Sequence, residues 1–456
     1  MQEYTRRIAE HIANTQYDDL PEEAKLFAKK SIMDTLGIMF PATTLAQTSG
    51  VVHDLILDID EGQSCSLIGY GEKASLLSAA FMNGSLTHAV DFDDSAGTYR
   101  PLVHPSGSCF PAAITLGEFV DATGKDLIAA MAVANDIGIR LADCVKGNIL
   151  WDYDFFPITT IGVFEATIAA AKLLKLDTEQ TIDALGLAVN RVSGLRDTLF
   201  NCEFRSIRDA FANQEGIRCA YLAQRGFEGC KTPIEDLFRL IYKDNVDMAS
   251  LTDKLGVEYT GATLVTYKLW PSCQGTQAYA EAALQILESN PDLDISEIKS
   301  ISLSGAKESY DMFYPKRIKA HPKTSITSKI SIPYVVANMI LKKDLKLADF
   351  EVDALDNPAV DKLTDLMEFE IDDSHNANSA SASITMNDGT EYKVRAEYVR
   401  GAVCAPVTLE QLISKFKGNV KLARRPVPEG NMETISDLLI NFENVQSIRD
   451  FMALLS

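Results

Sequence analysis

Apolar positions along the first half of the chain recur with a helical period. In PEEAKLFAKKSIMDTLGIMF (21–40), Leu26, Phe27, Ile32, Met33, Leu36 and Ile38 make a broad apolar face, and Pro21 with the acids behind it marks a helix start. The segments KDLIAAMAVANDIGIRLADCV (125–145), TIGVFEATIAAAKLLKL (160–176) and TEQTIDALGLAVNRVSGL (178–195) are apolar nearly all round and rich in Ala, Gly and Leu. Helices of that kind pack on several neighbours at once, so the pattern predicts a helical bundle with a large core.

The grammar changes after about residue 290. EIKSISLSG (297–305) takes up a period of two, with Ile301 and Leu303 on one face but Ile298 on the other. SASASITMNDGTEYKVRAEYVRG (379–401) reads as two strands joined at Asn387-Asp388-Gly389, a strong hairpin signal. Between them, ISIPYVVANMILKKD (330–344) reads as a helix, and TLEQLISKFKG (408–418) returns to a helical pattern. The expected fold class is mainly α with an α+β insert. At 456 residues the chain exceeds one ordinary core, in line with two domains.

Charge narrows the choice of partners. A formal net charge of −21 disfavours phosphate backbones and anionic lipid heads, so neither nucleic acid nor membrane is an expected partner. The longest apolar runs, such as LIAAMAVAN (127–135), are too short to span a bilayer. The N-terminal MQEYTRRIAEHIAN is charged from the start, unlike a secretory signal. Eight scattered cysteines without a C-x-x-C read as free thiols of a reducing compartment, and a cytoplasmic location is expected.

Against this background HAVDFDDS (88–95) stands out, because three aspartates crowd beside one of only six histidines. Three readings are open. The stretch is an Asp-rich turn that caps helices, a divalent-metal site of His88, Asp91, Asp93 and Asp94, or an acid–base site. In the last case His104 is the proton-transfer candidate, because an unperturbed imidazole has its pKa near neutrality, and a neighbouring carboxylate would orient it.

Extended to NGSLTHAVDFDDSAGTYRPLVHPSGSCFPAAITLGE (83–118), with a helix expected from about Pro111, the stretch resembles the MmgE/PrpD superfamily. That superfamily includes 2-methylcitrate dehydratases, cis-aconitate decarboxylases and an iminodisuccinate epimerase. YKLWPSCQGTQAYAEAAL from Tyr267, HPKTSITSKISIPYVVANMIL from His321 and RGAVCAPVTLEQLISKF from Arg400 resemble further family segments, so the likeness covers nearly the whole chain. It implies a helical domain over 1–267 and 401–456, an α+β lid over 268–400, a homodimer, and no metal or organic cofactor.

The resemblance also implies roles. His104 becomes the main acid–base group, Asp91 its orienting carboxylate, and Lys268 a carboxylate partner or second acid–base group. Ser95, Arg205, Tyr334, Phe156 and Gln277 become substrate-side residues, with His88 a buried structural histidine. Two positions depart from the pattern, since Phe156 and Gln277 stand where the family has histidines. Tyr153 is close enough in sequence to replace a lost donor, and Phe156 with Trp270 hints at an apolar substituent on the substrate. The implied function is a cofactor-independent lyase, dehydratase or decarboxylase in type, acting on a small anionic di- or tricarboxylate. An epimerase on the same scaffold and a non-catalytic carboxylate-binding homologue are the alternatives.

Overall fold

The structure is a computed structural model that describes residues 4–97, 103–147, 152–195 and 207–456. It is predominantly helical with a small mixed sheet. One hydrophobic core gathers residues 8–267 and 407–455, with Leu347 joining it, and a second gathers residues 270–399. No helix among the described residues is long and apolar enough to cross a membrane.

The first core is a set of buried helices, chiefly Glu22–Leu45, Leu76–Leu86, Pro105–Val120, Gly124–Asp143, Pro157–Leu173 and Arg208–Gln224. All but one residue of Pro157–Leu173 is buried, as its all-round apolar pattern requires. The helix Gly124–Asp143 is started by a capping box in which Thr123 and Asp126 each satisfy the other's backbone N–H. Helix Leu409–Asn419 brings the end of the chain back against Glu22–Leu45, so both termini contribute to one core.

The helix expected from Pro111 starts earlier, at Pro105, with His104 as its N-terminal flanking residue. Pro105 suits the first turn, where its missing N–H is not needed. Pro111, inside the helix, leaves the Gly107 carbonyl without its backbone donor. Asn213 repairs this from the neighbouring helix. Its Nδ2 donates to Gly107 O at 3.2 Å, and its Oδ1 accepts from Ala112 N at 2.7 Å.

In the second core, strands Ile298–Gly305, Met367–Ile371, Ala380–Met386 and Glu391–Ala396 form one sheet. Ile298–Gly305 pairs parallel with Met367–Ile371 and antiparallel with Ala380–Met386. The register slips between Ile298 and Ser300, and this irregularity returns Ile298 to the buried side. The misplaced isoleucine in the alternating pattern is therefore a bulge. The hairpin turns at Asn387-Asp388-Gly389, where Gly389 holds φ +88°, a conformation that favours glycine. Helix Gln274–Ser289 packs against strands Ala380–Met386 and Glu391–Ala396, and helix Ile332–Lys342 packs on that helix.

Helix Leu76–Leu86, which leads into the aspartate-rich loop, lies against Arg208–Gln224 so closely that a Cβ on Gly84 would meet Ala210 Cα at 2.7 Å. Gly84→Ala gains about 1 kcal/mol of helix propensity, but overpacking against main chain costs about 1–3 kcal/mol. We expect a net loss of stability, read as a lower urea midpoint with an unchanged slope.

Candidate functional site

After Leu86 the chain leaves its helix and runs through His88–Asp94 almost entirely buried. Asp91 sits at φ +51°, in the left-handed region, which turns the loop sharply. Ser95–Ala96 then pairs antiparallel with Val265–Thr266. That ladder sets Lys268, two residues beyond Thr266, against the loop. Ala96 also bridges to Val103, which returns the chain to His104 at the start of its helix. Local pairing thus converges the loop, the imidazole and the ammonium.

The carboxylate that meets His104 is Asp93, and Asp91 is not the orienting group expected from the sequence. Asp93 Oδ2 lies 2.9 Å from His104 Nδ1 and 2.8 Å from His88 Nδ1, and the two rings stand edge-on with centroids 4.6 Å apart. His104 Nδ1 is also 2.7 Å from the Asp94 carbonyl. An ionised carboxylate and a carbonyl only accept, so His104 carries its proton on Nδ1. Nε2 is left as the nitrogen able to take or give a proton. Asp91 instead grips Lys268, whose Nζ is 2.7 Å from Asp91 Oδ1 and 3.7 Å from Asp93 Oδ1. The left-handed turn at Asp91 is what sends adjacent carboxylates to different partners.

Burial sets the electrostatics. Burial alone raises the Asp93 carboxyl, but His104, His88 and Lys268 around it pull it well below the usual range. Burial alone lowers the Lys268 ammonium, and Asp91 with Asp93 more than offset it, leaving it raised. Among the described residues Asp94 has no cation beside it. Its carboxyl accepts from the Ser106 hydroxyl and amide, and burial pushes it up to about 8.

Three lysines from distant parts of the chain hold the loop's main chain. Lys329 Nζ donates to Val90 O at 3.0 Å, Lys268 to Asp91 O at 3.4 Å, and Lys415 to Phe92 O at 3.1 Å. Lys329 belongs to the second core's side of the chain, and burial pushes its ammonium down to about 8. Neither Lys329 nor Lys415 was singled out from the sequence. Both lie in segments quoted for the resemblance, but a lysine there reads as a solvated surface group until its neighbours are known.

The other sequence candidates scatter. Ser95 is buried in the short strand beside the loop. Gln277 donates through Nε2 to Trp270 O, Ser272 O and Ser272 Oγ at 2.8–3.1 Å, tying down the turn after Lys268. Phe156 stands at the start of helix Pro157–Leu173 with the Arg208 guanidinium 5.5 Å over its ring. The Arg208 Nε is 3.6 Å from Asp209, which accepts in turn from Ser108 on the His104 helix. Two candidates fall away from the cluster. Tyr153 packs edge-on against Tyr242 and directs its hydroxyl to Lys146 O, and Tyr334 lies in the second core with its hydroxyl on Asp349 O. Each phenol donates to a backbone carbonyl outside the loop. Arg205 lies outside the described residues.

His88, Asp93 and His104 bring their ligand atoms within 4.8 Å of one another. Both imidazoles, however, direct Nδ1 at the same Asp93 oxygen, and the Lys268 ammonium stands at the other. Asp91 is held by Lys268 and Asp94 by Ser106. The donor set suits a carboxylate shared by three protonated groups, and a divalent ion there would have to displace them.

The helical scaffold thus carries a buried carboxylate–imidazole–ammonium cluster on its aspartate-rich loop. The MmgE/PrpD N-terminal domain matches residues 6–242 and the MmgE/PrpD C-terminal domain matches residues 270–437. The chain belongs to the MmgE/PrpD family. It is 25% identical over 478 residues to cis-aconitate decarboxylase of Aspergillus terreus, covering 99% of this chain and 96% of that protein. Cis-aconitate decarboxylase of Homo sapiens is 24% identical, over 97% of this chain and 92% of its own length. A cis-aconitate decarboxylase-like protein, oryM, of Aspergillus oryzae is 24% identical over 99% and 97%.

The Asp94 carboxyl makes stability depend on pH with a definite sign. Unfolded, it ionises near 4; folded, it keeps its proton to about 8. Its contribution is therefore fully present below the unfolded value and is lost as pH rises towards the folded one. Relative to Asp94→Asn, the natural chain loses stability between pH 5 and 8, with a slope of at most about 1.4 kcal/mol per pH unit. Urea unfolding of both proteins at several pH values checks this, and parallel curves contradict it.

Proposed function

We propose that this protein is a cofactor-independent lyase acting on a small tricarboxylate, with decarboxylation of cis-aconitate as the leading candidate. The observation that carries the reading is His104, with Nδ1 fixed between Asp93 and the Asp94 carbonyl and Nε2 left for proton transfer. In such a decarboxylation one carboxylate leaves as CO2. Its bonding electron pair passes into the adjoining alkene and carboxylate, and a proton is delivered to carbon. His104 supplies that proton from Nε2 and regains it from water, while Asp93 stabilises the imidazolium that precedes transfer. Lys268 keeps the Asp91–Asp93 pair ionised, so the carboxylate beside the ring stays an acceptor. Arg208, beside Phe156, and Arg205 are the candidate anchors for substrate carboxylates. The family likeness and the names of the relatives support the substrate class.

An epimerase needs two proton-transfer groups on opposite faces of one carbon, for which the sequence offers Lys268 with either His104 or Tyr153. Lys268 is held on Asp91 at 2.7 Å, and Tyr153 directs its hydroxyl to Lys146 O. The lyase reading therefore ranks first.

Incubation with cis-aconitate, followed by CO2 release and by proton NMR of the product, tests the proposal. In D2O one deuterium appears on the product carbon. His104→Ala lowers kcat by roughly 10²–10⁴, as expected on losing a general acid–base group. Racemisation of a dicarboxylate without mass loss favours the epimerase, and full activity in His104→Ala removes the proposed mechanism altogether.

A further inference from the structure

Helix Leu409–Asn419 carries a group whose polar contacts converge on the site. The Lys415 side chain is only 7% exposed, and its Nζ has three acceptors: Asp34 Oδ1 at 2.7 Å, Lys268 O at 2.9 Å and Phe92 O at 3.1 Å. An ammonium has three protons, so each has one acceptor. The ammonium also stands 3.6 Å from the centre of the Phe92 ring, a cation–π contact in a desolvated setting. Asp34 comes from the Glu22–Leu45 helix near the other end of the chain, and its second oxygen, Oδ2, is buried with no hydrogen-bond partner among the described residues.

A buried pair of this kind is a poor device for stability. Removing both charges from water costs several kcal/mol, and apolar residues of similar volume often serve as well or better. The lone Asp34 Oδ2 makes the exchange worse. What the pair does achieve is local. Phe92 lies between Asp91, which holds Lys268, and Asp93, which holds His88 and His104. A donor on the Phe92 carbonyl fixes the peptide between those two carboxylates. A donor on the Lys268 carbonyl fixes the backbone from which the partner ammonium extends.

We propose that Lys415 is a positioning residue, clamping the Phe92 and Lys268 main chains so that Asp93 stays on His104 while Lys268 stays on Asp91. This rests on reading that cluster as the proton-transfer site. Lys415 touches no reacting atom. It acts through the carbonyls it holds, and Asp34 acts as its counter-charge.

Three variants separate positioning from plain stabilisation: Lys415→Met, Lys415→Arg and the paired Asp34→Leu/Lys415→Met, in which neither charge is left uncompensated. Turnover of cis-aconitate and 15N NMR titration of the imidazoles, tractable with six histidines, are the readouts. We expect Lys415→Met to lower kcat roughly 10–100-fold, the range seen when an outer hydrogen-bond partner is lost, with KM changed less than about threefold. The paired variant recovers Tm but not kcat, and Lys415→Arg recovers part of kcat. In both methionine variants the His88 and His104 signals shift their titration, while those of His321 and His375 do not move. A paired variant with natural kcat and unmoved His88 and His104 signals overturns the proposal. If the chain turns over no carboxylate the lyase reading fails, and the NMR titration still decides the positioning. Should Lys415→Met not fold, the paired variant carries the test.

Discussion

The site depends on how four carboxylates and three ammoniums are kept apart and satisfied where water does not reach. Asp34, Asp91, Asp93 and Asp94 are all buried, and Lys268, Lys329 and Lys415 meet them or the main chain between them. Aspartates this close repel strongly at low dielectric, and none could stay ionised alone. The fold resolves this by assigning each one a partner. Asp93 takes two imidazoles, Asp91 takes Lys268, Asp34 takes Lys415, and Asp94, with no cation beside it among the described residues, keeps a proton and bonds Ser106.

That assignment makes the loop a junction of the whole chain. The consecutive carbonyls of Val90, Asp91 and Phe92 are each held by a lysine, one from the second core's side, one from the segment joining the cores, and one from helix Leu409–Asn419. A loop anchored at three successive carbonyls loses little further freedom when it works on a ligand, which is the physical meaning of preorganisation. Asp34, Asp91 and Asp93 are matched by three ammoniums and Asp94 keeps its proton, so the loop is close to neutral inside a chain of net charge −21. The charge of the surface and that of the site are separate matters.

Much of the architecture was legible because burial writes itself into periodicity. Segments 125–145 and 160–176 became helices buried nearly throughout, while 178–195 is an α-helix only over Thr178–Ala188 and only partly buried; Asn387-Asp388-Gly389 became the hairpin turn. Where the reading slipped, a non-local partner had intervened. Pro111 looked like a helix start because proline removes a donor, but Asn213, about a hundred residues on, supplies the missing bond. Ile298 looked out of phase because a bulge shifts register without leaving a mark in the residue types. Tyr153 and Tyr334 looked available, yet their hydroxyls meet backbone carbonyls elsewhere.

The residues that make the chemistry plausible, His104, Lys268 and the aspartates of HAVDFDDS, can be named from the sequence, because few residue types titrate usefully and the cluster is dense. The partner of each could not be. Asp91 and Asp93 are two positions apart and identical in type, and only the left-handed turn at Asp91 decides which meets the ring and which the ammonium. Lys415 is one lysine among many until its helix is folded back beside Asp34. Sequence fixes the inventory of donors and acceptors and the helices that carry them. Pairing within a buried network depends on distances of a few ångströms between segments hundreds of residues apart, and those distances exist only once the chain has closed on itself.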